Sequence, residues 1–488
     1  MKIGFDHEKY IELQSENILK RVEMFNNKLY LELGGKLFDD FHAARVLPGF
    51  HVDAKIEVLK KLKDKLEILF CINASDIEKS KINSNIELTY DMDVLRLIEE
   101  LRGLGFTCNS VVITLYKGQP SADVFKKKLE RMNIKTYLHT FTKGYPTDID
   151  TIVSEEGYGA NEYIKTTKPI VVVAAPGPGS GKLATCLSQL YYEHKNNNKA
   201  GYAKFETFPI WNLPLKHPVN IAYEAATADL KDINLIDNFH LEKYGVTAVN
   251  YNRDLEMFPV LKKILNKITN EDIYSSPTDM GVNMIGDAII DDEVVKNAAY
   301  QEIIRRYYRA MCDYKMGVVD EDIPQRINLL LNEVNSSIED RKVVVPALEK
   351  SKKEGVPAIA IELSDGRIIT GKNTKIMSCS ASAIINSLKE LAGINDKIDL
   401  LSPNVLNPML KMKEEINNNK KKLLSAEDVL LGLSICKVTN PLIDEALSHL
   451  DELKHCEAHA SHFLPSNDVT LIRKLGMNLT NEAEFYIK

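Results

Sequence analysis

The chain has 488 residues, 44% hydrophobic and 27% charged, a composition ordinary for a globular protein and enough for roughly two to four domains. A net charge of −7, without any Lys/Arg block interleaved with aromatics, excludes a general nucleic-acid binder. Seven scattered cysteines make no disulfide framework, no run reaches the ~18 apolar residues of a membrane span, and no apolar leader follows Met1. The expected location is therefore the cytoplasm.

Strand and helix alternate over roughly the first 230 residues. Leu29–Leu33 reads as a strand running into Gly34, Gly35 and Lys36. A helix near Ala54–Lys65 leads to the strand Leu66–Ile72, and Asp91–Gly103 is helical, with Leu95, Leu97, Ile98 and Leu101 on its apolar side. Ser110–Tyr116 and Thr136–Phe141 are strands around the helix Ser121–Met132. Asp148–Lys165 is expected to be mostly helix, and Pro169–Ala175 is the next strand. Near-continuous apolar strands separated by helices predict a Rossmann-like α/β fold, a parallel sheet covered on both faces. Ligands on such sheets bind beyond the C-terminal strand ends.

The strongest functional signal lies at one of those ends. Pro176-Gly177-Pro178-Gly179-Ser180-Gly181-Lys182 follows the strand, and Leu183, Leu187, Leu190 and Tyr191 then form a helical apolar stripe. Free backbone N–H groups and the positive helix end make an anion trap there, glycines let the backbone close round a phosphate, and Lys182 adds a charge. Gly177, Gly179, Ser180, Gly181 and Lys182 are the expected phosphate-binding residues. The loop departs from a Walker A sequence at Pro176, which takes the first glycine position, and at Leu183, where a magnesium-binding Ser or Thr belongs, unless Thr185 substitutes. The dinucleotide pattern is met at Gly177 and Gly179 but has Lys182 at its third glycine. Glu206, closing the next apolar run, is a candidate ribose-binding acid. The bland reading is a Gly/Pro-rich turn with a solvated lysine.

Two further strand ends offer anion sites. Gly34, Gly35, Lys36 and Arg45 are second-anion candidates, with Asp39 or Asp40 as metal ligands; a β-turn beside a solvated charged face is the alternative. Val246–Asp254 reads as a strand ending in polar side chains. Arg253 is a phosphate-gripping candidate, and Asp254 is a metal ligand, a base, or the N-cap of a helix over Leu255–Ile268. Met257–Lys267, Val294–Tyr314 and Pro324–Ile338 show helical periodicity, and Ser275–Gly286 between the first two reads as a lid loop. Arg305, Arg306 and Arg309 are anion contacts, a solvated face, or partners of nearby acids such as Glu302. Ala358–Leu363 and Arg367–Thr370 flank an Asp-Gly hairpin turn, and Ile376–Leu391 carries a helix whose opening serines are candidate caps or anion contacts and near whose start Cys379 is a candidate for a lowered pKa. The lysine-rich stretch Asn417–Lys422 reads as an exposed loop. Three domains are expected: an α/β phosphate- or nucleotide-binding domain over 1–254, a mainly helical one over 255–342 and an α+β one over 343–488.

A separate constellation lies at His455-Cys456-Glu457-Ala458-His459-Ala460-Ser461-His462. Taken as a helix, it puts His455, His459 and His462 on one face with Cys456 a turn from His459, which suits zinc, or a Cys456 nucleophile with His459 as its base. The spacing fits no named zinc motif.

Ala174–Lys182, Leu31–Phe50, Tyr251–Asp254 and Cys456–His459 resemble the bacterial family labelled domain of unknown function 1846, a likeness running over the whole chain. It implies a cytoplasmic bacterial setting and no mechanism. A label of ATP-dependent peptidase sometimes given to the family finds no H-E-x-x-H, G-x-S-x-G or intact Walker A here. The expected function is an enzyme acting on a nucleotide, with magnesium, or on another small phosphorylated ligand, by phosphoryl transfer or hydrolysis. Its catalytic candidates are Asp254, Cys456 and His459. The alternatives are a non-catalytic nucleotide- or anion-binding regulatory or scaffold protein, and a metal- or thiol-dependent hydrolase with zinc at His455, Cys456, His459 and His462. A homo-oligomer without nucleic-acid or membrane partners is the assembly considered.

Overall fold

The computed structural model describes residues 2–35, 37–83, 87–418 and 422–486. The anion candidate Lys36 and Asn419–Lys421 of the lysine-rich stretch lie outside them. Backbone contacts divide the chain into two compact units, Lys2–Ala299 and Tyr300–Lys488, and the division falls inside the helix Asp292–Lys315. The segment expected to be mainly helical over 255–342 is thus shared between the units.

The first unit is built on a seven-stranded sheet. Its strands in chain order are β1 (Leu29–Leu33), β2 (Leu66–Asn73), β3 (Thr107–Thr114), β4 (Lys135–Leu138), β5 (Ile170–Ala174), β6 (Gly201–Phe205) and β7 (Gly281–Val282). They lie in the order β7-β6-β1-β5-β2-β3-β4, and every neighbouring pair is parallel. The expected α/β class with a parallel sheet is therefore what the chain forms. Runs such as Ile170-Val171-Val172-Val173-Ala174 are buried at every position, because helices cover both faces of the sheet and leave no side wet.

The order carries two reversals. From β1 the chain moves outward through β2, β3 and β4, returns to insert β5 between β1 and β2, then crosses β1 to place β6 on its far side. Connections leave β1 and β6 in opposite directions, a topological switch point, and α/β proteins bind ligands outside the C-terminal strand ends at such points.

Two local expectations change. Asp148–Lys165 is not mostly helix: it forms one turn at Ile149–Ile152 and a 3-10 turn at Tyr158–Ala160. Gly157 packs so closely that a Cβ there would lie 2.2 Å from the carbonyl oxygens of Thr151 and Ile152, and no helix tolerates that approach. The strand expected over Val246–Asp254 shrinks to Val249–Tyr251, pairing antiparallel with Asn234–Ile236 outside the main sheet.

In the second unit, β8 (Ala358–Glu362) and β9 (Ile368–Lys372) form the predicted hairpin, with Gly366 at φ +87° in its turn. They join β10 (Glu457–Ala460) and β11 (Asn478–Asn481) in the order β9-β8-β10-β11, with β10 and β11 parallel. Residues 457–460 are therefore strand rather than helix. The helix Cys379–Leu391 starts as expected behind a Ser378 cap, but Cys379 is buried and its thiol is pushed up to about 12 instead of down. Burial of the thiolate outweighs the helix end.

An ionic network ties this sheet to the helices of its own unit. Arg341, fully buried, pairs with Glu457, donates to Thr480 Oγ1 at 3.0 Å, and reaches the carbonyl oxygens of Ala458 at 3.0 Å and Asn478 at 2.7 Å. Arg305 bridges Glu457 at 2.9 Å and Glu302 at 2.8 Å. Arg305 and Arg306 thus serve acids of their own unit rather than an anionic ligand. Burial pushes the Glu457 carboxyl up, but Arg305 and Arg341 together outweigh it and hold it below the usual glutamate range. Removing one partner of such a set leaves an uncompensated buried charge, so Glu457→Gln is expected to cost about 3–5 kcal/mol in chemical denaturation. Because the folded carboxyl titrates below its unfolded value, this contribution is full above about pH 4.3 and is lost as pH falls through the folded pKa. A melting temperature in Glu457→Gln equal to the wild type at pH 7 would refute the assignment.

Candidate functional site

The glycine loop closes at the C-terminal end of β5. Gly177 passes so close to Tyr90 that an added Cβ would lie 2.3 Å from its hydroxyl, and Gly181, at φ +80°, lies 3.0 Å by the same measure from Thr114. Neither place admits a side chain. Ser180, expected to touch phosphate, instead donates its hydroxyl to Gly177 O at 2.8 Å, while Thr114 Oγ1 donates to Ser180 O at 2.9 Å. Gly181 is the N-cap of the helix Lys182–Lys195, and no side chain caps that end. Its first amide groups are left to a ligand or to water.

The helix lies over β1, where Gln189 donates to Tyr30 Oη at 3.1 Å and Tyr30 Oη donates to Glu193 at 2.7 Å. This sets the Lys182 ammonium 4.0 Å from Glu32 Oε1. Glu32 stands in register with Val173 of β5 and with Lys204 of β6, and it accepts the Tyr202 hydroxyl at 2.7 Å. Lys204 in turn holds Glu206 at 2.6 Å and Asp254 at 2.7 Å. One chain of charges, Lys182–Glu32–Lys204–Glu206/Asp254, thus crosses the ends of β5, β1 and β6.

Burial would lower the Lys204 ammonium, but Glu206, Asp254 and Glu32 outweigh it and keep it charged far above neutrality. The Glu206 carboxyl is raised, first by burial and further by Asp254, against the pull of Lys204. Gly281 of β7 makes room for it: a Cβ there would lie 2.7 Å from Glu206 Oε2. A raised carboxyl beside a charged lysine at a strand end has the makings of a proton donor.

The other sequence candidates are distributed as follows. Gly34 turns the end of β1 against Phe205 O, and its carbonyl accepts from Lys55 Nζ at 2.9 Å. The same ammonium reaches Asp40 at 3.3 Å, so a lysine unmarked by any motif binds the β1 turn. Asp40 also N-caps the helix Phe41–Val46, in which Arg45 sits. Asp254 is not an N-cap, since the helix begins at Asn252 behind Tyr251; it serves Lys204 instead. Arg253 is committed to Asp232, 2.7 Å away. Thr185, the candidate substitute for the missing magnesium hydroxyl, is fully buried and accepts from Cys71 Sγ at 3.4 Å. Ser275–Gly286, expected as a lid, is woven into the fold: Ser276 and Asp279 form a capping box for Pro277–Met280, and β7 follows.

The His455–His462 cluster changes character because it is not helical. His455 lies in a turn at φ +67°. His459 is fully buried on β10, with Nδ1 2.9 Å from Thr480 Oγ1 and Nε2 3.2 Å from Glu482, while His462 meets Ser461. Side chains three apart along extended chain face opposite ways, and Cys456 donates to Glu452 O at 3.4 Å. Burial pushes the Cys456 thiol up to about 11 and lowers the His459 imidazole, the reverse of an activated thiolate and its base. Among the described residues these side chains do not gather as metal ligands.

Comparison with known proteins gives a consistent assignment. Residues 3–335 match the model for Domain of unknown function DUF1846, N-terminal, and residues 339–488 match its C-terminal counterpart. A UPF0371 protein of Clostridium botulinum (strain 657 / Type Ba4) is 56% identical over 494 residues, covering 99% of this chain and 98% of the relative. One from Clostridium tetani (strain Massachusetts / E88) is also 56% identical with the same coverage. One from Clostridium botulinum (strain Eklund 17B / Type B) is 57% identical.

The charge chain has a direct mechanical test. Lys204→Met leaves Glu206 and Asp254 facing each other without a cation, and a stability loss of about 2–4 kcal/mol is expected from chemical denaturation at pH 7. The loss shrinks on acidification as Glu206 protonates. A variant as stable as the wild type at both pH values would show that Lys204 does not hold the two acids.

Proposed function

The chain belongs to the DUF1846 family, and we propose that it is an enzyme that binds a nucleotide or another phosphorylated metabolite at the C-terminal edge of its parallel sheet. The reaction class is transfer or hydrolysis of a phosphoryl group. The observation that carries this reading is the uncapped N-terminus of Lys182–Lys195 with Lys182 at its first position and Glu32 on the adjacent strand, 4.0 Å away. In P-loop nucleotide hydrolases a loop lysine cradles the phosphates, and a carboxylate from outside the loop helps hold magnesium. Gly177–Lys182 supplies the first part here, and Glu32 supplies the second.

Each residue then has a task derived from its surroundings. The amides at the helix start and the Lys182 ammonium bind and orient the phosphate. Glu32 faces the lysine and takes up a cation. Glu206, kept protonated more readily than an ordinary glutamate by burial and by Asp254, donates a proton to a leaving or reacting oxygen, and Lys204 holds it in place. Magnesium, held by Glu32, would supply charge neutralisation on the phosphate as it transfers. All seven cysteines are free thiols, and no helix among the described residues is long and apolar enough to cross a membrane. These features support a cytoplasmic setting for the reading.

One observation favours a second reading, a binder without chemistry. The position after Lys182 is Leu183, and the Thr185 hydroxyl is turned into the core against Cys71, so the loop lends magnesium no hydroxyl. The Glu206 carboxyl, held beside Lys204 and Asp254 at the same sheet edge, tips the balance toward the enzyme.

The test is a thermal-shift screen against nucleotides, sugar phosphates and inorganic phosphate, with and without magnesium. A ligand at 100 times its Kd adds about 2.7 kcal/mol of apparent stability. One phosphorylated class is expected to raise the melting temperature of the wild type and not of Lys182→Ala, whose ligand-free melting temperature stays nearly unchanged. Binding intact in Lys182→Ala would refute the loop assignment. Binding without turnover in the wild type would select the second reading.

A further inference from the structure

Away from the sheet edge, the described residues hold one group of His, Cys, Asp or Glu whose ligand atoms converge. These are His7, His51 and Glu57, with the three atoms all within 4.8 Å of one another. They come from three segments that the backbone clamps together. Asp6 caps the helix His7–Met24, so His7 opens that helix. The amides of Gly4 and Phe5 both donate to Pro48 O, at 2.8 and 3.0 Å, which draws the turn carrying His51 against the helix start. Glu57 lies in the first turn of the helix Ala54–Lys61.

His7 Nε2 is 2.7 Å from Glu57 Oε2, and His51 Nδ1 is 3.4 Å from Glu57 Oε1. Among the described residues the partners of the Glu57 carboxylate are these two imidazoles, and no lysine or arginine is paired with it. His7 is 6% exposed, whereas the His51 side chain is 60% exposed. The group therefore has a fixed, buried base and one open side.

We propose that His7, His51 and Glu57 form a binding site for a divalent cation of the zinc class, with water as the fourth ligand. Two imidazole nitrogens and one carboxylate oxygen are the donor set of open, four-coordinate zinc sites. In the metal-free arrangement His7 Nδ1 accepts the His51 amide at 3.5 Å, which places the ring proton on Nε2. Binding at Nε2 moves that proton to Nδ1 and gives up the long amide contact, with no net change in protons. The two rings are stacked, centroids 3.7 Å apart, so coordination turns the exposed His51 ring to aim Nδ1 at the cation and widens the 2.7 Å contact between His7 Nε2 and Glu57 Oε2 to admit it. The site depends on no feature of the glycine loop.

The experiment uses the full chain, stripped of metal with a chelator, given zinc chloride, desalted and measured for zinc per chain by mass spectrometry. The wild type is expected to retain a single equivalent. His51→Ala and Glu57→Gln are expected to weaken binding at least tenfold in competition with a chromophoric chelator, and Cys456→Ser to leave it unchanged. His51 is mostly exposed, so the metal-free melting temperature of His51→Ala should match the wild type and separate lost binding from lost folding. Cobalt(II) gives a second readout, an intense visible band of four-coordinate geometry present in the wild type and absent in His51→Ala. The proposal is overturned if the wild type retains no zinc, if both variants bind as it does, or if binding disappears only in Cys456→Ser.

Discussion

The alignment of Glu32 on β1 with Lys204 on β6 is the constraint on which the charge chain of the first unit depends. A parallel sheet buried on both faces offers charged groups almost nowhere to stand except at its strand ends. Here two neighbouring strands each carry a charge inward at the same level. Neither charge is tolerable alone, since an unpaired buried ion costs several kcal/mol. Together with Lys182, Glu206 and Asp254 they share the cost along a chain of alternating sign. The two reversals in strand order make this possible, because they bring the ends of β1, β5 and β6 side by side although β5 lies more than a hundred residues after β1.

That same long separation decides what could be read in advance. Strands such as Ile170–Ala174 and Leu66–Asn73 announce themselves by apolar runs, unbroken in the first and spanning Ile68–Ile72 in the second, and the glycine loop by composition, so the α/β class and the location of one strand end were legible. The partner of Lys182 was not. Glu32 sits in an ordinary strand pattern, and nothing local distinguishes it from a solvated glutamate; only the insertion of β5 beside β1 gives it meaning. Lys204 and Lys55 were silent for the same reason, being single lysines whose roles arise from tertiary neighbours. Asp254 was marked as polar and near a helix start, yet its task follows from Lys204 and not from capping.

The histidine-rich segment shows the opposite failure, a strong local signal with no tertiary support. His455, His459 and His462 fall on one face only if the chain is helical. Instead Glu457–Ala460 extends to pair with β8 and β11, which buries His459 beside Thr480 and Glu482 and leaves His455 in the turn before the strand. Alternation of Glu457 and His459 with Ala458 and Ala460 is a strand pattern of period two, and the small alanines suit a position flanked by two strands. The ionic network of Arg341, Arg305 and Glu457 meets this strand at its first residue, which fixes its register within the unit.

The contact between Gly177 and Tyr90 bears on the kinetics that a ligand of the proposed loop site would show. Tyr90 opens the helix Tyr90–Gly103 and rests against the loop from outside, while Thr114 supports it from β3. A loop held on two sides by parts of the rigid frame has already surrendered its conformational freedom during folding. A ligand arriving there meets amides that are in position and has no ordering entropy to supply, so affinity is not taxed by loop closure. Association then runs as an encounter with a ready-made surface, and differences among ligands appear in how long each stays.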